Sequence, residues 1–186
     1  AEACGNGFRC TALLGHEKLG FGKKQRFESV SGLIEAEVKN GGVRVQLVDP
    51  SGLREREEIE VAGRMLHYYF LNTGVPHVVI FVEGLEKIPV FEIGRQIRYH
   101  PRFQPAGANV NFVEVTGPQS ISVRTYERGV EEETLACGTG TSASAIVSAQ
   151  AGYVKPPVRV TTKAGETLLV DFTRKGDKVQ KVFLEG

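Results

Sequence analysis

Two cysteines of this 186-residue sequence stand in the same motif, Ala-Cys-Gly-x-Gly. The motif occurs at Cys4, in EACGNGFRCTALL, and again at Cys137, in LACGTGTSASAIV. Small and apolar residues with helical spacing follow the glycines in both places. We therefore predict that each cysteine opens a helix, that the two motifs belong to the halves of a duplicated fold, and that the halves share one site.

A cysteine at the start of a helix lies beside unpaired backbone N–H groups and the positive end of the helix dipole. Both favour the thiolate, so we expect thiol pKa values below the ordinary value of about 8.5. The N–H groups can also hold a carboxylate, because glycines allow a ligand close to the backbone. If two such helix starts face one cleft, one thiolate can remove a proton from the carbon beside the carboxylate. The opposite thiol can then return a proton to the other face of that carbon. The configuration is inverted without a cofactor, and oxidation would join the two sulfurs in an inactivating disulfide.

Other uses of the cysteines remain as alternatives. A zinc site built from Cys4, Cys10 and Cys137 would have no C-x-x-C or H-x-x-x-H pair to support it. A thiol hydrolase needs one cysteine and a histidine, for which His77 is available, but it leaves the second cysteine motif unexplained. Cys10 has no glycine context, and we expect it in the core or behind the site. A non-catalytic protein that uses its cysteines structurally is the alternative from a different class.

The composition narrows the class of protein. The net charge of +1 gives no field that would favour nucleic acid or an anionic membrane. The longest apolar runs, such as HVVIFV, are too short to span a bilayer. Three cysteines without dense spacing argue against a secreted disulfide scaffold and for a reducing compartment. We expect a cytoplasmic protein that acts on a small molecule and has no nucleic-acid or membrane partner.

Strands outnumber helices in the sequence pattern, and turns link most of them. The pattern predicts helices over Gly5–Lys18, VFEIGRQIRYH and Gly138–Tyr153, a single strand over Arg26–Val38, a tight turn at Asn40-Gly41 with VRVQLVD returning, a polar connection over SGLREREEIEVAG, and strands at MLHYYFLN, HVVIFVE, NVNFVEV, SISVRTYE, VRVTTK, TLLVDFT and KVQKVFL. Helices embedded in antiparallel structure indicate the α+β class and not a doubly wound sheet.

Four segments occur in the order EACGNGFRC, NTGVPHVVIFV, GANVNFVEV and YERGVEEETLACGTG. Because of these segments, the sequence resembles the diaminopimelate epimerase family. The resemblance covers essentially the whole chain. It implies two pseudo-symmetric domains, each a mostly antiparallel sheet wrapped around a central helix, with the active site in the cleft between them. It places the N-terminal domain at residues 1–47 and the C-terminal domain at 48–182, and residues 183–186 begin the return to the N-terminal domain.

The resemblance also implies an activity. The family epimerises L,L-diaminopimelate to meso-diaminopimelate without a cofactor or metal, for lysine and peptidoglycan biosynthesis, and we expect a homodimer. In the direction from the L,L substrate, Cys137 would accept the proton and Cys4 would donate one. The alternatives are a racemase of the histidine or proline type in the same superfamily, or a fragment without catalytic activity. Proline racemase-like members typically carry histidine where this sequence has Asn6.

Further site residues follow from the resemblance by position. His77 and Glu127 are expected to tune the thiol pKa values. The expected substrate-binding residues are Gly5, Asn6, Asn109, Glu127, Arg128, Gly138 and Thr139. Two departures from the family stand out. Val75 replaces an asparagine that precedes Pro-His in many members, and the nearby Asn72 could substitute for it. The family also has segments before the first cysteine motif and after VFLEG, so we expect this sequence to be part of a longer chain that carries further substrate ligands.

Overall fold

A computed structural model of the chain describes residues 4–30, 32–176 and 178–186, so Ala3 of the first cysteine motif lies outside the described residues. The helices are α1 (Gly5–Leu19), α2 (Val90–Arg98) and α3 (Gly138–Gln150). Helix α1 ends at Gly20, which has a left-handed φ of 73° that glycine adopts without strain. All three predicted helices are confirmed, although α2 and α3 end before the predicted residues.

The strands of the described residues form one continuous sheet. Their bounds are β1 (Lys24–Ser29), β2 (Gly32–Lys39), β3 (Gly42–Gln46), β4 (Ser51–Val61), β5 (Arg64–Asn72), β6 (Pro76–Phe81), β7 (Asn109–Gly117), β8 (Ser120–Glu127), β9 (Glu132–Thr134), β10 (Val158–Thr161), β11 (Thr167–Lys175) and β12 (Lys178–Glu185). The order across the sheet is β1-β2-β3-β12-β11-β10-β8-β7-β6-β5-β4, with β9 paired to β8 beside this path. Most neighbours are antiparallel, whereas β6–β7 and β8–β10 are parallel. The α+β class is therefore confirmed.

Two predictions about the strands are wrong. The stretch Arg26–Val38 is not one strand, because a turn after Ser29 divides it into the antiparallel pair β1 and β2. The supposed polar connection is the edge strand β4, which pairs with β5 through two register shifts. Its run of Arg and Glu residues lies largely exposed at the edge of the sheet, where charged side chains also prevent pairing with other chains.

The tail of the chain returns to the first hairpin. Strands β2 and β3 form the predicted hairpin at Asn40-Gly41, and Gly41 has a φ of 96°. Strand β12 then pairs with β3, with Leu184 opposite Val45. Residues 47–50 lie outside the strands and connect β3 to β4. The division into two domains at residues 47 and 48, and the return of the last residues to the first domain, stay predictions.

Helix α3 lies at the centre of the larger core. Every residue from Gly138 to Ala149 is buried, and strands β5–β8 and β10–β12 pack around the helix. Its small side chains allow this close packing, and two serines direct their hydroxyl groups to carbonyl oxygens one turn back (Ser142 to Gly138, 3.0 Å; Ser148 to Ser144, 2.7 Å). Helix α1 packs on β2 and β3, and α2 packs on the other face of β7 and β8.

Strands β6 and β7 separate the two cores. Val79 and Val113 belong to the core around α3, whereas Val78 and Val110 belong to the core beneath α2. Parallel strands that are covered on both faces have continuous apolar sequences, and β6, with the sequence PHVVIF, is an example. Side chains alternate along a strand, so His77 shares the α3 face with Val79. These strands therefore present their first residues to the start of α3.

The fold makes a testable prediction at Gly94 of α2. Replacing an exposed helical glycine by alanine ordinarily stabilises a helix by about 1 kcal/mol. A Cβ at Gly94 would lie 2.5 Å from Cβ of the buried Tyr126, and overpacking of this kind costs about 1–3 kcal/mol. We expect Gly94→Ala to lower the free energy of unfolding, measured by urea denaturation. Gln96→Ala, on the exposed side of the same helix, is the control and should change it by less than about 0.5 kcal/mol. A stabilised Gly94→Ala protein would contradict the packing.

Candidate active site

The two cysteine motifs form the N-terminal ends of α1 and α3. Cys4 is the N-cap of α1 (φ −140°, ψ 99°), and Cys137 is the N-cap of α3 (φ −121°, ψ 109°). At both positions an extended residue precedes the first helical glycine, so the sulfur lies beside the N–H groups of the first turn. The predicted pair of cysteines at helix starts is confirmed.

The two helix starts touch at the glycines that follow the cysteines. A Cβ on Gly138 would lie 3.1 Å from the Cα of Gly5, and a Cβ on Gly5 would lie 3.3 Å from the Cα of Gly138. A Cβ on Gly138 would lie 3.0 Å from Cδ2 of Leu184, and a Cβ on Gly5 would lie 2.9 Å from it. Because glycine has no Cβ, the two backbones can come this close. Cys4 and Cys137 are each one residue from this contact, and the electrostatic interaction with Cys4 is the smallest of the effects on the pKa of Cys137, which it raises.

Each sulfur lies beside the glycine three residues later. The Gly7 N–H donates a hydrogen bond to Sγ of Cys4 with an N···S distance of 3.3 Å. Sγ of Cys137 accepts no such capping hydrogen bond, but it lies 3.5 Å from Oγ1 of Thr139, and the nearby Gly140 N–H helps to lower its pKa. The sequence repeat is therefore a repeat of helix position, and of the two cysteines Cys4 is the one that makes the capping bond.

The two thiols differ in their surroundings. Cys4 is exposed, whereas Cys137 is buried with 8% of its surface accessible. Burial and, to a smaller extent, the charge of Glu127 raise the pKa of Cys137 to about 11, and the polar groups of Thr139 and Gly140 offset this rise only in part. The prediction of a lowered pKa is therefore wrong for Cys137, because desolvation outweighs the helix start.

Glu127 lies at the end of β8 and acts on Cys137 through its charge. Its Oε2 accepts a hydrogen bond of 2.9 Å from the hydroxyl of Thr134 on the neighbouring β9. The negative charge opposes ionisation of the thiol and therefore raises the pKa of Cys137. The role of Glu127 in setting the thiol pKa during catalysis and its contact with a substrate stay predictions.

His77 is fully buried at the start of β6. Its Nδ1 lies 3.2 Å from Nδ2 of Asn111, while its Nε2 has no hydrogen-bond partner among the described residues. Burial and, to a smaller extent, the positive charge of Arg128 lower the pKa of His77 to about 3. The ring is therefore neutral at physiological pH. Its predicted effect on a cysteine pKa stays a prediction.

Asn109 connects the starts of β6 and β7 to the end of β8. Its Nδ2 donates to the carbonyl of Pro76 (3.0 Å), and its Oδ1 accepts from the backbone N–H of Arg128 (2.9 Å). The guanidinium group of Arg128 donates to the carbonyl of Ala106 (3.0 Å). The structure thus brings Asn109 and Arg128 together, and Asn109 holds the backbone of Arg128. Their contacts with a substrate stay predictions.

Sequence reasoning missed three buried polar residues that surround the start of α3. The Thr73 hydroxyl donates to the carbonyl of Thr139 at 3.2 Å. The Thr125 hydroxyl donates to Oδ1 of Asn111 at 3.0 Å. Asn111 could have been found, because it stands two positions after Asn109 and must share its face of the strand. The two threonines carry no signal in the sequence, since only the fold brings them to the helix.

The remaining residues lie at the edges of the site. The Asn6 side chain accepts a hydrogen bond of 3.3 Å from Arg9 on the next turn of α1. Asn72 accepts from the backbone N–H of Gly74 at 2.9 Å and so closes a turn, while Val75 is buried. A substrate contact by Asn72 stays a prediction. Cys10 is exposed on α1, so the expectation that it lies in the core or behind the site is wrong.

The described residues contain neither a metal-binding cluster nor a membrane-spanning helix. In the ranges 4–30, 32–176 and 178–186, no group of three or more His, Cys, Asp or Glu side chains could hold a metal ion. No helix in these ranges is long and apolar enough to cross a membrane.

The electrostatics of the site predict the effect of removing one charge. Glu127→Gln should lower the pKa of Cys137 from about 11, because the carboxylate is one of the groups that oppose thiolate formation. The measurement is an NMR titration of the cysteine Cβ signals. Glu132→Gln is the matched control, since Glu132 is exposed on β9 opposite Glu127 and should leave the titration unchanged. An unchanged or raised pKa in Glu127→Gln would contradict the described arrangement.

Comparison with known proteins identifies the family of this chain. The model of the diaminopimelate epimerase family matches residues 69–183. The chain is 50% identical over 189 residues to the diaminopimelate epimerase of Aquifex aeolicus, covering 100% of this chain and 66% of that protein. It is 43% identical over 188 residues to that of Chlorobaculum tepidum, covering 98% of this chain and 70% of that protein. The chain therefore spans about two thirds of the length of these relatives.

Solved structures share the fold at low sequence identity. A hydroxyproline epimerase from Agrobacterium vitis superposes with a TM-score of 0.72 at 19% identity, over 95% of this chain and 61% of that one. A phenazine biosynthesis protein of the PhzF family from Bacillus anthracis superposes with a TM-score of 0.73 at 13% identity, over 100% of this chain and 73% of that one. These structures support the fold alone, whereas the family match and the closer sequence relatives settle the membership. This chain belongs to the diaminopimelate epimerase family.

Proposed function

We propose that this protein interconverts L,L- and meso-diaminopimelate by a two-base mechanism in which Cys4 and Cys137 exchange protons with the substrate. The observation that carries the proposal is the contact between Gly5 and Gly138, which brings two cysteine-capped helix starts together. The relatives with the name diaminopimelate epimerase support the choice of substrate. No cofactor enters the proposed reaction.

The helix starts offer N–H groups for the substrate carboxylate. The first helical hydrogen bonds run from Phe8 to Cys4 and from Thr141 to Cys137. The Gly7 N–H donates to the Cys4 sulfur, and the Gly140 N–H lies beside the Cys137 sulfur. The remaining first-turn donors belong to Gly5, Asn6, Gly138 and Thr139, and they have no partner within the helices. In the proposal they bind the carboxylate and stabilise the negative charge that develops when the adjacent carbon loses its proton.

The proton transfers balance between the two sulfurs. One thiolate takes the proton from Cα and becomes a thiol, and the electron pair left on Cα is delocalised into the carboxylate. The opposite thiol then gives its proton to the other face of Cα and becomes a thiolate. From the L,L substrate, Cys137 is the acceptor and Cys4 is the donor. A substrate that brings its α-ammonium group near Cys137 would favour the thiolate there, and so offset the raised pKa of Cys137.

The rest of the proposal concerns binding and context. Asn109, Glu127 and Arg128 would bind the substrate, and Asn109 would also hold Arg128 through its backbone. We further propose that the product serves lysine and peptidoglycan biosynthesis and that the protein acts as a cytoplasmic homodimer. These last points rest on the names of the relatives and on the composition, and each has its own test in pathway complementation, fractionation and sedimentation.

The two-base mechanism predicts which cysteines matter. A protein that carries these 186 residues should incorporate solvent deuterium at Cα of L,L-diaminopimelate, as measured by mass spectrometry. Cys4→Ala and Cys137→Ala should each reduce epimerisation by about 10²–10⁴-fold, because each removes one acid–base group. Cys10→Ala is the matched control, since this exposed thiol of α1 has no part in the mechanism. Full turnover in either Cys4→Ala or Cys137→Ala would refute the mechanism.

A panel of amino acids tests the substrate separately. The proposal predicts chiral inversion of diaminopimelate and none of proline or histidine. If the protein inverts proline or histidine and not diaminopimelate, the two-base chemistry would stand and the proposed substrate would be wrong.

A further inference from the structure

We infer that Asn111 is a positioning residue that holds the His77 ring with its proton on Nε2, so that the ring serves the site as a hydrogen-bond donor and not as a base. The significance for catalysis rests on the proposed function, whereas the position of the ring proton can be measured without it. The argument depends on three hydrogen bonds of the Asn111 side chain, which is fully buried.

The neighbours of Asn111 fix the orientation of its amide. Nδ2 lies 2.9 Å from the carbonyl oxygen of Val78, which can only accept a hydrogen bond. Oδ1 lies 3.0 Å from the hydroxyl of Thr125, which donates to it. The reversed amide would put two oxygens that only accept against each other at the Val78 carbonyl. Asn111 therefore presents its NH₂ group to Val78 and to His77.

This orientation determines the tautomer of His77. One hydrogen of the NH₂ group goes to Val78, and the other points to Nδ1 of His77 at 3.2 Å. Nδ1 must then be the acceptor, and in a neutral imidazole the proton lies on the other nitrogen. The ring is fully buried, which disfavours its charged form. Nε2 thus carries a hydrogen that has no acceptor among the described residues.

The same asparagine also contacts the start of α3. A Cβ on Gly140 would clash with Oδ1 of Asn111, so the two groups are in direct contact. The N–H group of Gly140 lies beside the sulfur of Cys137 and favours its thiolate. Asn111 therefore connects the position of the His77 ring to the helix turn that holds the thiol.

The consequence is a restriction on proton transfer. The Nδ1 lone pair is occupied by Asn111, and Nε2 is already protonated, so His77 has no free site to take a proton from Cys137. A cysteine–histidine pair of the hydrolase type would need such a site. The acid–base work is then left to the two thiols, and His77 contributes a fixed dipole.

Ring-nitrogen NMR of the ligand-free protein tests the inference directly. The chemical shifts of the two ring nitrogens distinguish the tautomers, and His77→Gln identifies the His77 signals among those of the four histidines. We expect His77 to carry its proton on Nε2 at neutral pH. A proton on Nδ1 would overturn the inference, whatever the activity of the protein.

A substitution tests the role of Asn111. In Asn111→Asp the carboxylate cannot donate to Nδ1, so we expect the proton to shift to Nδ1 and kcat to fall. Asn40→Asp, in the turn between β2 and β3, is the matched control and should leave the tautomer unchanged. An unchanged tautomer in a folded Asn111→Asp protein would overturn the inference, and the wild-type spectrum decides the matter if this variant does not fold. An inactive wild-type protein with the proton on Nε2 would refute the proposed function and leave the tautomer assignment standing.

Discussion

Gly5 and Gly138 approach each other so closely that a methyl group on either would meet the backbone of the other. This contact sets the distance between the starts of α1 and α3. If either helix start moved away, the two cysteines would separate. A residue of β12 also packs against this contact. Leu184 packs against both glycines, and its strand β12 pairs with β3, on which α1 rests. The hairpin, the tail and the buried helix therefore converge on one point, and two thiols flank it.

Opposing electrostatic effects then set the chemistry of the buried thiol. The Thr139 hydroxyl and the Gly140 N–H favour the thiolate of Cys137, whereas burial and the charge of Glu127 favour the thiol. The second pair of effects is larger, so the thiol form is favoured. The two-base mechanism proposed above requires substrate binding to change this balance, and a charged α-ammonium group is suited to do so.

The sequence is most informative where the signal is local. The repeated motif predicts both helix starts, because cysteine, glycine and helical spacing are read within a few residues. The edge strand β4 was missed because its charged residues resemble a loop, and only pairing with β5 identifies it. The burial of Cys137, the exposure of Cys10 and the hydrogen bonds of Asn111 depend on distant segments. The raised pKa of Cys137 follows from that burial, so the sequence alone predicts its direction wrongly.

The most direct test of the central claim is the pairing of the three cysteines under a mild oxidant, read by mass spectrometry of peptides. A disulfide needs Cα atoms within roughly 7 Å, so it reports whether two thiols share one site. The described contact predicts a bond between Cys4 and Cys137 within one chain, while Cys10 stays free. Cys4 and Cys137 both remaining free, or either pairing with Cys10 instead, would contradict the account.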